Sequence, residues 1–318
     1  MSIADTPTNR AIPEPLPDSF CGVQPGGGVC YRIELAWGRW RRWYLKRFRQ
    51  GYVRRMAQLR SGDCDGAPHE ILDPRDLKYC RNQCRCDWAP TDDPFAWRER
   101  LPFARWGLAE LQLMGWPMAA LTVVAACTPM WYLAVVPGVL LGLIVYFFRD
   151  PPRRVPQDPG LIVSPADGKI AEIVELEHDE LVGGPAVRIG IFLSIFNVHL
   201  NRAPSESRVI ALQYRPGEFL NALNPESAIR NENTRIVLEE EAPPHRRIVV
   251  RQISGAIARR IVCGLRPGEL VARGAKFGMI KLGSRTELIL PKTDGLKIEV
   301  EVGRKVKAGS TVMGRWGG

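Results

Sequence analysis

Three short stretches of this 318-residue chain carry a serine, a histidine and an aspartate at strand or turn boundaries. Ser284 lies in Lys281-Leu282-Gly283-Ser284-Arg285, between the apolar run Phe277 to Ile280 and the strand-like run Thr286 to Leu290 that Pro291 closes. His199 lies in Phe196-Asn197-Val198-His199-Leu200-Asn201-Arg202-Ala203-Pro204, and Asp167 in Ser164-Pro165-Ala166-Asp167-Gly168-Lys169. A hydroxyl is a weak nucleophile until a neighbouring base takes its proton, and an acid beside that base can orient it. Serine, histidine and aspartate are the residue types for that task. Each stretch also has a plainer explanation. A Gly-Ser pair at a strand boundary makes a turn or bulge, and Asp-Gly is a turn signal by itself. His199 is one of four histidines; His178 lies in an acidic loop and His245 beside Pro243-Pro244, both in solvated contexts, and His69 stands near cysteines.

These residues need a scaffold, and from Leu161 onward the pattern is one of short strands with turn punctuation. Leu161 to Ser164, Ile170 to Leu176, Ala186 to Leu193, Arg208 to Tyr214, Arg235 to Glu239, Ile248 to Ile253, Glu287 to Leu290 and Leu296 to Val302 fit strands, while Ala256 to Cys263 fits a strand or a short helix. Regular strands without long helices predict a mainly β barrel or sandwich. Ahead of them, the 38 positions from Leu111 to Phe148 hold no charged residue. One straight helix of that length would measure about 57 Å against a hydrocarbon core of about 30 Å. Thr128-Pro129 divides the run, since proline disfavours helix at the residue before it. Two short spans or a hairpin dipping into one leaflet both fit. Trp116, Trp131, Tyr132 and Tyr146 take interfacial places, and the flanking arginines Arg98, Arg100, Arg105, Arg149, Arg153 and Arg154 put both flanks on the cytoplasmic side.

The chain carries 44 Lys and Arg against 34 Asp and Glu, a net charge of +10, which predicts an anionic partner. Residues 1–30 are rich in proline and glycine and predict a disordered lead-in. Met1 to Asp18 has no apolar core of the signal-peptide kind, so the soluble parts are expected in the cytoplasm with reduced cysteines. Residues 31–105 form an extension of another character. Trp37, Trp40, Tyr44, Phe48 and Val53 recur at helical spacing among Arg39, Arg41, Arg42, Lys46, Arg47, Arg49, Arg54 and Arg55. Such a helix suits a membrane surface or an RNA backbone, or packs its aromatics on its own domain. Cys64, Cys80, Cys84 and Cys86 are a weak zinc candidate, because Cys80-x3-Cys84-x-Cys86 is not a standard ligand spacing; reduced cysteines in a loop-rich segment are the alternative.

Six motifs in one order resemble the phosphatidylserine decarboxylase proenzyme family in its short, membrane-anchored bacterial and archaeal form. They are Phe147-Phe148-Arg149-Asp150-Pro151, Ser164 to Gly168, Asn197 to Pro204, Tyr214 to Asn221, Ala258 to Val262 and Phe277 to Arg285. The resemblance runs from about residue 114 to 315 and leaves the first hundred residues outside it. It implies a barrel-sandwich-hybrid-like catalytic domain over residues 151–318, behind a membrane hairpin over 106–150 and a helical or irregular extension. It also implies self-cleavage between Gly283 and Ser284, with Ser284 becoming a covalent pyruvoyl group, His199 as base and Asp167 as its orienting acid. Chain 284–318 would stay as a partner of the rest. The implied activity is the decarboxylation of phosphatidylserine to phosphatidylethanolamine at the cytoplasmic face of the inner membrane, without external cofactor. Arg202 and Arg215 would meet the lipid phosphate or carboxylate, or form structural ion pairs. Two positions depart from the pattern. Some family members carry a second histidine where Phe196 stands, and many have threonine at the position of Arg285.

Two other functions compete with this one. A non-catalytic membrane-tethered barrel-sandwich adaptor would remain one uncut chain. A nucleic-acid-binding protein would use residues 31–60, but leaves the uncharged run unexplained. A homo-oligomer is left open.

Overall fold

The computed structural model describes residues 10–65, 71, 73, 84–221, 224, 226–256, 260–281 and 284–317. The extension contains α1 (Val29–Phe48), α2 (Gln50–Leu59), a hairpin of β1 (Arg60–Asp63) and β2 (Arg85–Trp88), and the single turn α3 (Trp97–Arg100). The uncharged run folds into α4 (Leu108–Ala126) and α5 (Val135–Phe147). The strands of the remainder are β3 (Leu161–Val163), β4 (Gly168–Asp179), β5 (Gly184–Leu193), β6 (Leu200–Arg202) and β7 (Ser207–Arg215). After the short α6 (Ser227–Arg230) come β8 (Asn233–Glu240), β9 (Arg247–Ile253), β10 (Arg260–Cys263), β11 (Leu270–Val271) and β12 (Lys276–Lys281). The last four are β13 (Ser284–Pro291), β14 (Leu296–Ile298), β15 (Lys305–Val306) and β16 (Val312–Trp316).

The fold is mainly β, as the short strands with turn punctuation predict, and its named strands pair antiparallel. The main sheet runs β11-β7-β8-β9-β13-β5-β4-β15, and smaller sheets run β10-β12-β6 and β14-β16-β3. Strand alternation sorts β13 into two faces. Leu288 and Leu290 enter the principal core with Ile191, Leu193, Ile236 and Val250, while Ile289 packs on the opposite face with Val249 and Val237. Ser284 and Thr286 therefore share the core face, and Arg285 and Glu287 the other. The segment Ala256 to Cys263 ends as the strand β10, and the apolar run before the Gly-Ser pair is itself the strand β12.

The break expected at Thr128-Pro129 falls in the turn between α4 and α5. The two helices are antiparallel: a side chain at Gly138 would lie 3.6 Å from Thr122, and one at Gly115 would lie 3.9 Å from Leu141. Backbone bonds from Ala104 N–H to Phe148 O (2.7 Å) and from Asp150 N–H to Pro102 O (2.8 Å) close the base of this hairpin. Its outer side chains are exposed, Trp116 by 72%, Val124 by 64% and Val136 by 66%. Residues Arg105–Ala126, 22 in all, are long and apolar enough to cross a membrane, whereas Trp131–Phe147 is shorter.

The disordered lead-in expected over residues 1–30 is corrected for residues 10–28, which form a strap across the β domain. Phe20 is fully buried and Leu16 and Val23 nearly so, in two core clusters. Bonds from Ala11 N–H to Glu239 Oε2 (3.0 Å), from Glu14 N–H to Ile210 O (2.8 Å) and from Cys263 N–H to Val23 O (2.9 Å) hold it down. Three apolar anchors outweigh a proline-rich composition because prolines have already surrendered backbone entropy before folding.

Candidate active site

The first residue of β13 and the last of β5 are cross-strand partners, Ser284 opposite Leu193. Directly after Leu193 the chain turns: Asn197 Oδ1 accepts from Ser194 N–H (2.9 Å) and Ser194 Oγ (2.8 Å), and Asn197 N–H donates to Ser194 O (2.9 Å). That turn delivers His199, whose carbonyl accepts from Ile280 N–H (3.2 Å) near the end of β12. His199 is thus bracketed by the two strands on either side of residues 282–283. The sheet register brings Ser284 and His199 to one end of the domain. Gly283, the other half of the expected scissile bond, lies outside the described residues.

Ser284 is completely buried and its Oγ has no hydrogen-bond partner among the described residues. A buried hydroxyl left unmatched costs about 1–3 kcal/mol, so its persistence calls for a purpose. Below it on the same face lies a buried polar row. Asn201 Nδ2 donates to Thr286 Oγ1 (3.2 Å), and Gln252 Nε2 donates to Asn201 Oδ1 (2.9 Å) and to Val262 O (3.2 Å). Thr286, Gln252 and Thr234 are aligned cross-strand neighbours.

His199 is 1% exposed. Its Nδ1 lies 2.9 Å from Asn197 O; a carbonyl can only accept, so the proton sits on Nδ1 and the lone pair on Nε2. The ring packs on Phe147 at the end of α5, with centroids 4.4 Å apart. Burial, with a smaller push from Arg149, lowers its pKa from 6.5 to about 4. Neutral imidazole with its lone pair on Nε2 is the state a general base needs. A reaction that uses His199 as its base should therefore keep its rate from pH 7 down to about 5 and fall as pH drops through about 4. Stability follows the same direction. The unfolded histidine binds its proton first, so stability is full above pH 6.5 and falls between 6.5 and about 4, by about 3 kcal/mol if the ring stays buried. Denaturant midpoints across that window check the sign.

Asp167, expected to orient His199, has two other partners. Asp167 Oδ2 forms an ion pair with Arg153 (2.7 Å) and Oδ1 accepts Ala308 N–H (2.8 Å), so the carboxylate braces the C-terminal tail. The backbone carbonyl of Asn197 orients the imidazole through Nδ1. Arg202 is likewise committed, to Asp150 Oδ1 (3.1 Å) and Gly274 O (3.0 Å), and Lys276 shares Asp150 (2.8 Å). It is the structural ion pair of the two alternatives. Arg215 is exposed and has no ion-pair partner among the described residues. Of the zinc candidates, Cys80 lies outside the described residues, as does His69. Cys84 and Cys86 have sulfurs 3.6 Å apart, and burial plus hydrogen bonds with Cys84 and Cys64 push the Cys86 thiol up to about 12. Among the described residues no group of three or more metal-ligating side chains is assembled.

Two buried ionic groups flank Ser284. Before it, Lys281 Nζ pairs with Glu110 in the first turn of α4 and donates to Gln24 Oε1 of the strap (3.2 Å). After it, the departure at Arg285 has a physical account. Arg285 Nε donates to Glu287 Oε1 (2.9 Å) and Nη2 pairs with Glu172, while Arg251 Nη1 meets Glu287 Oε2 (3.2 Å). The guanidinium reaches Glu172 across Gly190, where a Cβ would stand 2.5 Å from Nη2. Gly190→Ala should break this group and cost about 3 kcal/mol, the scale of disrupting a buried ion pair; urea unfolding of the variant measures it. None of these partners has a motif in the sequence; the only signal was charge at strand positions that alternation turns inward.

The family model for phosphatidylserine decarboxylase matches residues 140–314. The chain is 52% identical over 241 residues to a phosphatidylserine decarboxylase proenzyme of Rhodopirellula baltica, covering 76% of this chain and 99% of that one. The chain belongs to the phosphatidylserine decarboxylase family. Proenzymes of the same name from Carboxydothermus hydrogenoformans and Desulfotalea psychrophila are each 42% identical, over 198 and 197 residues, covering 62% of this chain and 91% and 90% of theirs. The matched stretch contains all three residues Asp167, His199 and Ser284 of this family member.

Proposed function

We propose that this chain is a proenzyme that cuts itself between Gly283 and Ser284 and then converts phosphatidylserine to phosphatidylethanolamine and carbon dioxide. The observation that carries the proposal is the pairing of Ser284, whose buried hydroxyl has no partner among the described residues, to the strand that leads into a neutral His199. His199 Nε2 takes the Oγ proton as Oγ bonds to the Gly283 carbonyl carbon. The Gly283–Ser284 C–N bond then breaks, leaving an ester and a free amine. Loss of the Ser284 α-proton with the Cβ–O bond expels Gly283 as a carboxylate, and the remaining dehydroalanine takes up water and releases ammonia. The terminal pyruvoyl group at 284 supplies a ketone that engages the substrate amine and accepts the electron pair left by carbon dioxide. Asp167 is the acid assigned to the cutting step by family resemblance; each of its oxygens has a second lone pair beyond those that meet Arg153 and Ala308 N–H.

After cutting, residues 284–318 stay with the larger chain, because β13 is bonded on both sides, to β5 and β9, and β15 and β16 pair with β4 and β3. The barrel-sandwich character of the domain and the membrane hairpin belong to the same proposal. α4 and α5 enter the inner membrane from its cytoplasmic face and bring His199, on Phe147, to the lipid surface. Arg215 is the exposed cation for the lipid phosphate. Incubation with phosphatidylserine labelled in its serine carboxyl should release labelled carbon dioxide. Pretreatment with hydroxylamine should abolish that release; retained activity would remove the ketone from the account.

A further inference from the structure

No residue of α1 is buried. Val29, Ile33, Trp37, Trp40, Tyr44 and Phe48 follow one another at intervals of four, four, three, four and four residues, which places them on one stripe of a helix. A stripe of that kind normally faces a core. Here it faces outward, with Trp37 exposed by 61%, Trp40 by 50% and Phe48 by 58%. The rings form a continuous ladder: Trp37–Trp40 at 4.9 Å, Trp40–Tyr44 at 5.8 Å and Tyr44–Phe48 at 5.3 Å between centroids. The partly covered residues Tyr31, Leu35, Gly38 and Leu45 lie on the opposite side. Arg32, Arg39, Arg41, Arg42, Lys46 and Arg47 stand against the single acid Glu34. The start of α1 adjoins the base of the hairpin, where Tyr31, like Trp106, Leu111 and Ile144, packs against the core cluster that holds Phe147 and Phe148. The exposed aromatic ladder and the exposed apolar hairpin thus belong to neighbouring elements.

We propose that α1 is a second lipid-binding element, which lies along the surface of an anionic bilayer and is distinct from the site that binds the substrate. Its aromatic ladder sits among the head groups and acyl boundary, where amphipathic rings are favoured, and its arginines and Lys46 contact lipid phosphates. The inference rests on the reading that the chain works at a bilayer. Charge complementarity and continuity with the hairpin choose the occupant. A nucleic acid would also meet the cations, but the helix that carries the ladder starts at the base of an apolar helix pair that no nucleic acid covers.

The test uses the full-length chain with vesicles of phosphatidylcholine alone, or mixed with phosphatidylglycerol, so that no substrate is present. A variant with Arg39, Arg41, Lys46 and Arg47 all changed to Gln should lose at least about tenfold of its affinity for the anionic vesicles, each basic contact being worth a severalfold factor. The lost part should be the salt-sensitive part. Binding to phosphatidylcholine, self-cutting and decarboxylation in detergent micelles should not change. In the unaltered chain, a photoreactive lipid should mark peptides within residues 37–48, a result that does not depend on any variant folding. Marks confined to residues 108–147, or unchanged affinity in a variant that still cuts itself, overturn the inference. So does a variant that loses single-stranded RNA binding while its vesicle binding stays intact. Vesicle binding as expected with no decarboxylation in micelles would sink the enzymatic proposal and leave this one standing.

Discussion

Ser284→Ala should leave a single uncut polypeptide with no decarboxylase activity. The alanine methyl occupies nearly the same volume, and the site is fully buried between β5 and β9, so the sheet itself should be preserved. Removing a buried hydroxyl that has no partner among the described residues abolishes none of their hydrogen bonds; it relieves a polar group of about 1–3 kcal/mol of unmet solvation. The variant is therefore expected to be at least as stable as the unaltered precursor while being chemically inert. Loss of function with a gain in stability is the signature of a group kept for its chemistry. A denaturing gel and a urea titration on the same preparation check both halves, and a less stable, uncut variant would point to a structural role for Ser284.

The second large effect is at His199. His199→Gln should slow self-cutting by about 10²–10⁴-fold, the usual worth of a positioned general base. Glutamine can still donate to Asn197 O, so the turn that begins at Ser194 should survive. What it cannot do is accept a proton from Oγ. The slow residual cutting should also lose its fall below pH 4, because no imidazole remains to be protonated. Time courses of precursor loss at several pH values separate this from simple misfolding. A glutamine variant that cuts at the original rate would remove His199 from the base role.

The site residues were named in the sequence through motifs that resemble the family, and the local order around them is simple. A strand that ends at Leu193, a turn beginning at Ser194 and a histidine five residues later are consecutive in the chain, and Ser284 follows an apolar strand directly. The hairpin was legible too: composition alone fixes an uncharged run, and Pro129 marks its turn. What depended on distant partners was not. Asp167 was assigned to His199, yet its oxygens meet Arg153 and the backbone of Ala308, a residue from the far end of the chain. The strap was missed because Leu16, Phe20 and Val23 are isolated apolar residues among prolines, too few to form a periodic signal. Arg285 looked like a lost hydroxyl; the gap above Gly190 and the carboxylates of Glu172 and Glu287 give its charge a place. The aromatic stripe of α1 was correctly placed on a helix, but no periodicity says which side of that helix faces the protein.

The account turns on whether one peptide bond is broken by the hydroxyl beside it, and intact-mass analysis of the purified, active protein measures this most directly. The expected result is two chains, residues 1–283 ending in a carboxylate and residues 284–318 beginning with a ketone-bearing pyruvoyl group instead of an amine. A single chain of 318 residues that still decarboxylates phosphatidylserine, or a small chain that starts with an ordinary serine amine, would contradict it.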